Sequence, residues 1–171
     1  GAARSTPRIR IAHCAALPAG KTMSDNLKPE DRRKTMQAVK GRGTRLEKRL
    51  FSMLARMGLR GWRTNVDSIV GKPDVAFVSE QVAIFLDGCF WHGCPYCQRK
   101  LPETNREYWE RKIKRNVALA KSTNRQLRAD GWTVIRVWGH QMYRAADTTR
   151  IKAKILQALR EKEYRSGKHA H

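Results

Sequence analysis

Apolar spacing separates this chain into helical flanks and a β-rich middle. At residues 28–43, KPEDRRKTMQAVKGRG, early acids and closing glycines predict a short helix. In TRLEKRLFSMLARMG, Leu46, Leu50, Leu54 and Met57 form a helical stripe, Thr44 and Glu47 have capping-box spacing, and Gly58 is the stop. The pattern then shortens into three β-rich runs, GWRTNVDSIV, KPDVAFVS and QVAIFLDG, the last two close enough for an antiparallel hairpin. Residues 88–102 read as a loop, and a long amphipathic helix from about Thr104 to Asp130 ends at Gly131. WTVIRVWG is a further strand, and DTTRIKAKILQALREKE a last helix capped by Asp147 or Thr148. The order predicts an α/β fold, a mixed β-sheet flanked by helices. The long helix acts as a crossover that makes QVAIFLDG and WTVIRVWG parallel neighbours.

Charge narrows the partner. Among 171 residues, 36 are Lys or Arg against 15 acids, a net charge of +21, while 40% are apolar. Such self-repulsion in a chain able to build a core points to a polyanion, with nucleic acid ahead of an anionic membrane surface. No apolar run is long enough to span a bilayer, and the cysteine distribution fits a reducing compartment, so a cytoplasmic location is expected. Residues 1–22 read as a disordered N-terminal extension, Met23 as a natural start, residues 23–164 as a single domain and 165–171 as a disordered tail. Cys14 stands apart, whereas Cys89, Cys94 and Cys97 lie within nine residues, a metal-site distribution rather than a disulfide framework.

Three thiolates call for a fourth ligand, and zinc accepts imidazole beside sulfur. If WTVIRVWG lies beside QVAIFLDG, His140 reaches the cysteines, and the filled tetrahedron makes the ion structural. Phe90 and Trp91 stand between the ligands. They either pack inward or are presented as wedges for a base step, and Trp109, among Arg106, Arg111, Lys112, Lys114 and Arg115, suits core packing or stacking. Asp74 and Asp87 fall at adjoining ends of the hairpin, where two carboxylates could hold Mg²⁺. His92, spare once zinc has its four ligands, is placed to act as a general base. Glu47 is either a cap or an outer acid of the same site.

The quoted stretches, from RRKTMQAVKGRGT and LEKRL through GKPDVAF, DGCFWHGCPYC, PETNREYWERKIKRN and GWTVIRVW, resemble the very-short-patch-repair (Vsr) DNA mismatch endonucleases over most of the chain. The resemblance implies a restriction-endonuclease-like fold that nicks double-stranded DNA 5′ to the T of a T·G mismatch left by deaminated 5-methylcytosine. It implies Mg²⁺ on Asp74 and the Leu86 carbonyl, His92 as base, and intercalation by Phe90, Trp91 and Trp109, with Met36 entering from the opposite groove. Lys112 and Asn116 match residues near the mismatched pair. Cys94 and His140 exchange ligand type relative to a familiar member, preserving a four-ligand N/S set, and Asp87 stands where that member has histidine. A monomer is expected. Two other readings are a nuclease of this build that restricts methylated or otherwise modified DNA, and a non-catalytic zinc-stapled DNA-binding module.

Overall fold

A computed structural model of the chain describes residues 44–167. The expected first helix, Met36, Cys14 and the proposed N-terminal extension lie outside the described residues. Helix α1 (Arg45–Arg56) begins where the Thr44 hydroxyl accepts the Glu47 N–H and donates to Glu47 Oε1. It closes through Gly58 N–H to Ala55 O and Leu59 N–H to Leu54 O.

Strands β1 (Trp62–Arg63), β2 (Val75–Phe77), β3 (Val82–Asp87) and β4 (Thr133–Trp138) form one sheet in that order. The expected hairpin is present, with β2 antiparallel to β3 and Val75 opposite Ile84. Helix α2 (Arg106–Ala129) carries the chain across to β4, which pairs parallel with β3 from Val82 opposite Thr133 to Asp87 opposite Trp138. Helix α3 (Ala145–Gly167) follows a 3-10 turn, Gly139–Tyr143. Among the described residues this is the mixed sheet flanked by helices that the sequence predicts.

The pleat sorts the core into two faces. Val75, Phe77, Val82, Ile84, Ile135 and Val137 pack with Leu50 and Leu54 of α1 and Ile151 and Ile155 of α3. Ala76, Ala83 and Phe85 face the other way, against Leu127 of α2. Asp87 and Arg136 fall in step with this second set.

Three boundaries differ from expectation. GWRTNVDSIV contributes only Trp62–Arg63 to the sheet, because Asn65 turns into a left-handed conformation and turns follow up to Gly71. Val66 and Ile69 still pack on the second face from these turns. Helix α3 starts at Ala145 rather than at a cap on Asp147 or Thr148. The Thr148 hydroxyl donates to the Arg144 carbonyl one turn back, so it cannot serve the helix start. The same helix continues to Gly167, past the end of the expected stretch DTTRIKAKILQALREKE.

Gly71 joins the turn segment to α2. Its φ is +77°, and a Cβ there would collide with the methyl of buried Thr123. Gly71→Ala should therefore destabilise the fold by about 2 kcal/mol, from strain and overpacking together. Urea denaturation measures this loss; an unchanged midpoint would mean that the turn is free to move away from α2.

Candidate active site and metal centre

Parallel pairing sets the site. Because Asp87 lies opposite Trp138, the residues two further along each strand, Cys89 and His140, leave the same sheet edge side by side. The cysteine loop folds back on itself, with His92 N–H to Gly88 O and Cys94 N–H to Cys89 O. Gly93 lets it lie close to α2, where a Cβ would meet Ile113 at 3.1 Å. On the other side, Trp138 N–H donates to Gln141 Oε1 and Arg49 Nε to the Met142 carbonyl, which anchors the turn carrying His140.

The ligand atoms of Cys89, Cys94, Cys97 and His140 all lie within 4.8 Å of one another. His140 Nδ1 is 3.3, 3.7 and 3.4 Å from the three sulfurs in that order. A tetrahedral ion with ordinary sulfur and imidazole bond lengths has an N···S edge of about 3.6 Å, so the group can hold a metal. Burial keeps the His140 imidazole below its usual pKa, Asp147 opposing and Arg144 reinforcing this, which favours the neutral form a ligand needs. Burial, together with the Cys89 and Cys94 sulfurs, pushes the metal-free Cys97 thiol up to about 12. Metal uptake must therefore displace protons.

Asp74 sits at the start of β2, and its Oδ2 accepts the Leu86 N–H at 2.7 Å. Burial raises its pKa above the usual carboxylate value. Negative Glu47 and Asp87 add to the rise, while the Leu86 N–H and its own backbone N–H oppose it. A hard cation would relieve this crowding, so the oxygen donors present suit one. Glu47 is 5% exposed and Asp87 3%, and both act through charge on Asp74, so three acids lie close together.

Asp87 departs from the expected pair of open carboxylates. Arg136 holds both of its oxygens, Nε to Oδ2 at 2.6 Å and Nη2 to Oδ1 at 2.5 Å. Arg136 Nη1 also donates to Asn124 Oδ1 at 3.2 Å, and its guanidinium lies over the Phe85 ring. His92 Nδ1 lies 3.4 Å from Asp87 Oδ1, buried and not aligned for a hydrogen bond. Burial lowers the His92 pKa, Asp87 opposing and Arg136 reinforcing. Arg136 escaped the sequence analysis. A lone charge in the apolar run VIRVWG signals it, since a strand between two cores needs a partner for such a residue.

Phe90, Trp91 and Trp109 pack on one another with centroids 5.2 to 5.6 Å apart, and Tyr108 extends the cluster at 5.2 Å from Trp109. Lys112 Nζ lies over Trp91, Trp109 and Tyr108 and donates to the Tyr108 hydroxyl. Asn116 Nδ2 donates to the Trp91 carbonyl at 3.0 Å. The two packing alternatives are thus combined, for the rings pack together yet stay only partly buried, and Tyr108 is 48% exposed. Tyr108 was also missed; its place beside Trp109 in REYWERKIKRN is the available clue.

Acids, an imidazole and an aromatic cluster beside a metal-ligand group on one basic chain are groups that phosphodiester cleavage can use. A family model described as DNA mismatch endonuclease Vsr matches residues 24–99. A Type II nicking enzyme of Neisseria meningitidis serogroup C, V.NmeDIP, is 41% identical over 140 residues, covering 81% of this chain and 93% of its own. The Type II nicking enzyme V.XorIIP of Xanthomonas oryzae pv. oryzae is 40% identical over 137 residues, 80% and 98% of the two chains. The DNA mismatch endonuclease Vsr of Escherichia coli K12 is 37% identical over 116 residues, 68% and 74% of the two. The chain belongs to the Vsr family of DNA-nicking endonucleases. Among the described residues, no helix is long and apolar enough to cross a membrane.

Metal analysis should find about one tightly held ion per chain at the Cys89–Cys94–Cys97–His140 group. Stripping it with a chelator should lower the melting temperature, and Cys94→Ala should do the same. A chain that melts unchanged after stripping would show that the group carries no stabilising ion.

Proposed function

We propose that this endonuclease nicks double-stranded DNA 5′ to the T of a T·G mismatch, the lesion left when 5-methylcytosine deaminates, and that it does so as a cytoplasmic monomer on a restriction-endonuclease-like fold. One observation carries the reading: Asp74 and His92 both lie within electrostatic reach of the buried Asp87 carboxylate, beside a partly exposed aromatic cluster. That the Escherichia coli relative is a DNA mismatch endonuclease supports the mismatch substrate.

Zinc is the ion we assign to Cys89, Cys94, Cys97 and His140, since a filled N/S tetrahedron is a structural zinc set. Asp74 and the Leu86 carbonyl would hold Mg²⁺, which would supply charge stabilisation at the phosphate and the leaving oxygen. The chain's own residues do the rest. With Nδ1 of His92 buried, Nε2 takes a proton from water. The water oxygen bonds to phosphorus, the bond to the 3′ oxygen breaks, and that oxygen is protonated from solvent. Glu47 acts as an outer acid beside Asp74, whose pKa it raises. Phe90, Trp91 and Trp109, with Met36 from outside the described residues, enter the stack at the mismatch, where unstacking costs least. Lys112 and Asn116 act there by holding the tryptophans.

End-labelled T·G duplexes in varied contexts with Mg²⁺, beside fully paired methylated duplexes, test this. The expected product is one nick 5′ to the mismatched T. Equal cutting of paired methylated DNA would favour a restricting nuclease, and binding without cutting at any Mg²⁺ concentration a non-catalytic module.

Asp74→Asn should abolish nicking and retain DNA binding. It should also raise the melting temperature at neutral pH, because a carboxyl with a raised folded pKa withdraws stability as pH climbs through that value. Retained nicking removes Asp74 from the chemistry. Trp91→Ala should weaken preference for T·G over paired duplex more than overall affinity, compared in a competition binding assay. Equal losses would reduce the ring to packing.

A further inference from the structure

Arg136 is a partly buried cation with no task in the proposed chemistry. We propose that Arg136 is a positioning residue for nicking, clamping the Asp87 carboxylate so that its Oδ1 fixes the orientation and tautomer of the His92 imidazole. This inference rests on His92 being the base.

The geometry supplies three links. A guanidinium fork grips both Asp87 oxygens at 2.5 and 2.6 Å, which leaves the carboxylate one orientation. The fork is itself held, by Asn124 Oδ1 at 3.2 Å and by the Phe85 ring under it at 4.7 Å. Asn124 belongs to α2 and Phe85 to β3, so the clamp is braced by the crossover helix and the neighbouring strand. Held in this way, Asp87 Oδ1 faces His92 Nδ1 at 3.4 Å. That nitrogen is buried and has no other hydrogen-bond partner. Bonds of this sort are commonly loose before substrate binds and tighten in the complex. Once it closes, Nδ1 carries the proton and Nε2 presents its lone pair to water.

The arrangement also explains why Asp87 does not join Asp74 as a second open carboxylate. Both its oxygens are committed to Arg136, in a fork that a lysine could not reproduce. The bidentate grip therefore separates the two acids by role, one for the cation and one for the imidazole.

The test compares Arg136→Met, Arg136→Lys and the double variant Asp87→Asn/Arg136→Met, which leaves no unpaired buried charge and so protects the fold. Single-turnover nicking of a T·G duplex should fall about 100-fold in Arg136→Met, the scale of a misplaced catalytic group, while DNA affinity and zinc content hold. Arg136→Lys should recover only part of the rate, and the double variant should be no slower than the slower single variant. Nitrogen NMR of the His92 ring, read without Mg²⁺ or DNA, should show the Nδ1–H tautomer in the parent and a tautomer mixture in Arg136→Met. A folded Arg136→Met or double variant that nicks at the parental rate, or an unchanged tautomer, overturns the proposal. His92→Ala serves as the separate control. If it nicks normally, the base assignment itself has failed; if it is inactive while Arg136→Met is fully active, only the clamp has.

Discussion

The parallel ladder between β3 and β4 pairs Leu86 with Val137 and Asp87 with Trp138, and the site is built outward from those last rungs. Two residues past the ladder, one strand supplies Cys89 and the other His140. Two rungs before its end, on the second face, β4 supplies Arg136 to meet Asp87. A slip of one residue would turn every side chain of β4 to the opposite face. Arg136 would enter the apolar layer formed by Leu50 and Ile155, and the metal group would lose its fourth ligand. Burial of Ile135 and Val137 on one face and the Arg136–Asp87 pair on the other therefore select the same register. A bound metal would add a third vote, tying the two strand ends together beyond their hydrogen bonds.

Electrostatics at this edge run against the rest of the molecule. The chain carries a net +21, yet Glu47, Asp74 and Asp87 are gathered in one place with little exposure. On the proposed reading, the outer charge draws in a polyphosphate from a distance, and the inner acids hold the cation that phosphate chemistry needs. Burial, and after it the neighbouring acids, raise the Asp74 pKa, so gathering acids here costs stability. Arg136 limits that cost by neutralising one of the three, which leaves the strain on Asp74, where a cation can relieve it. The Leu86 N–H that binds Asp74 Oδ2 ties the hairpin end to the acid, so the position of Asp74 is a backbone property and not a matter of side-chain freedom.

What could be read from the sequence followed how far each feature reached along the chain. Cys89, Cys94 and Cys97 are close in sequence, so their grouping was legible at once. His140 became legible only through the expectation that α2 is a crossover, since topology alone brings it near. The Arg136–Asp87 pair spans 49 positions and depends on register, which hydrophobic pattern does not specify to the residue. GWRTNVDSIV misled because Val66 and Ile69 are buried from turns, so apolar spacing resembled a strand where left-handed Asn65 had already ended one. The start of α3 was misplaced because Thr148 spends its hydroxyl on a carbonyl behind it, a use that composition cannot distinguish from capping.

The aromatic cluster connects the metal group to the proposed selectivity. Phe90 and Trp91 belong to the loop that Cys89 and Cys94 anchor, while Trp109 and Tyr108 belong to α2, and Trp109 bridges the two supports, edge to face with Phe90 and tilted against Trp91. Lys112 adds a cation against three of the rings, and Asn116 fixes the Trp91 backbone. A wedge ordered before it meets DNA has lost most of its rotamer freedom already, so more of its contact energy remains to offset unstacking. Unstacking a paired step costs more than unstacking a mismatched one. On the proposed reading, a rigid wedge of fixed energy opens the weaker step and leaves the stronger closed. Discrimination then arises from the stiffness of the loop and helix as much as from any contact with a base edge, and the metal group, by holding that loop, takes part in it without touching the substrate.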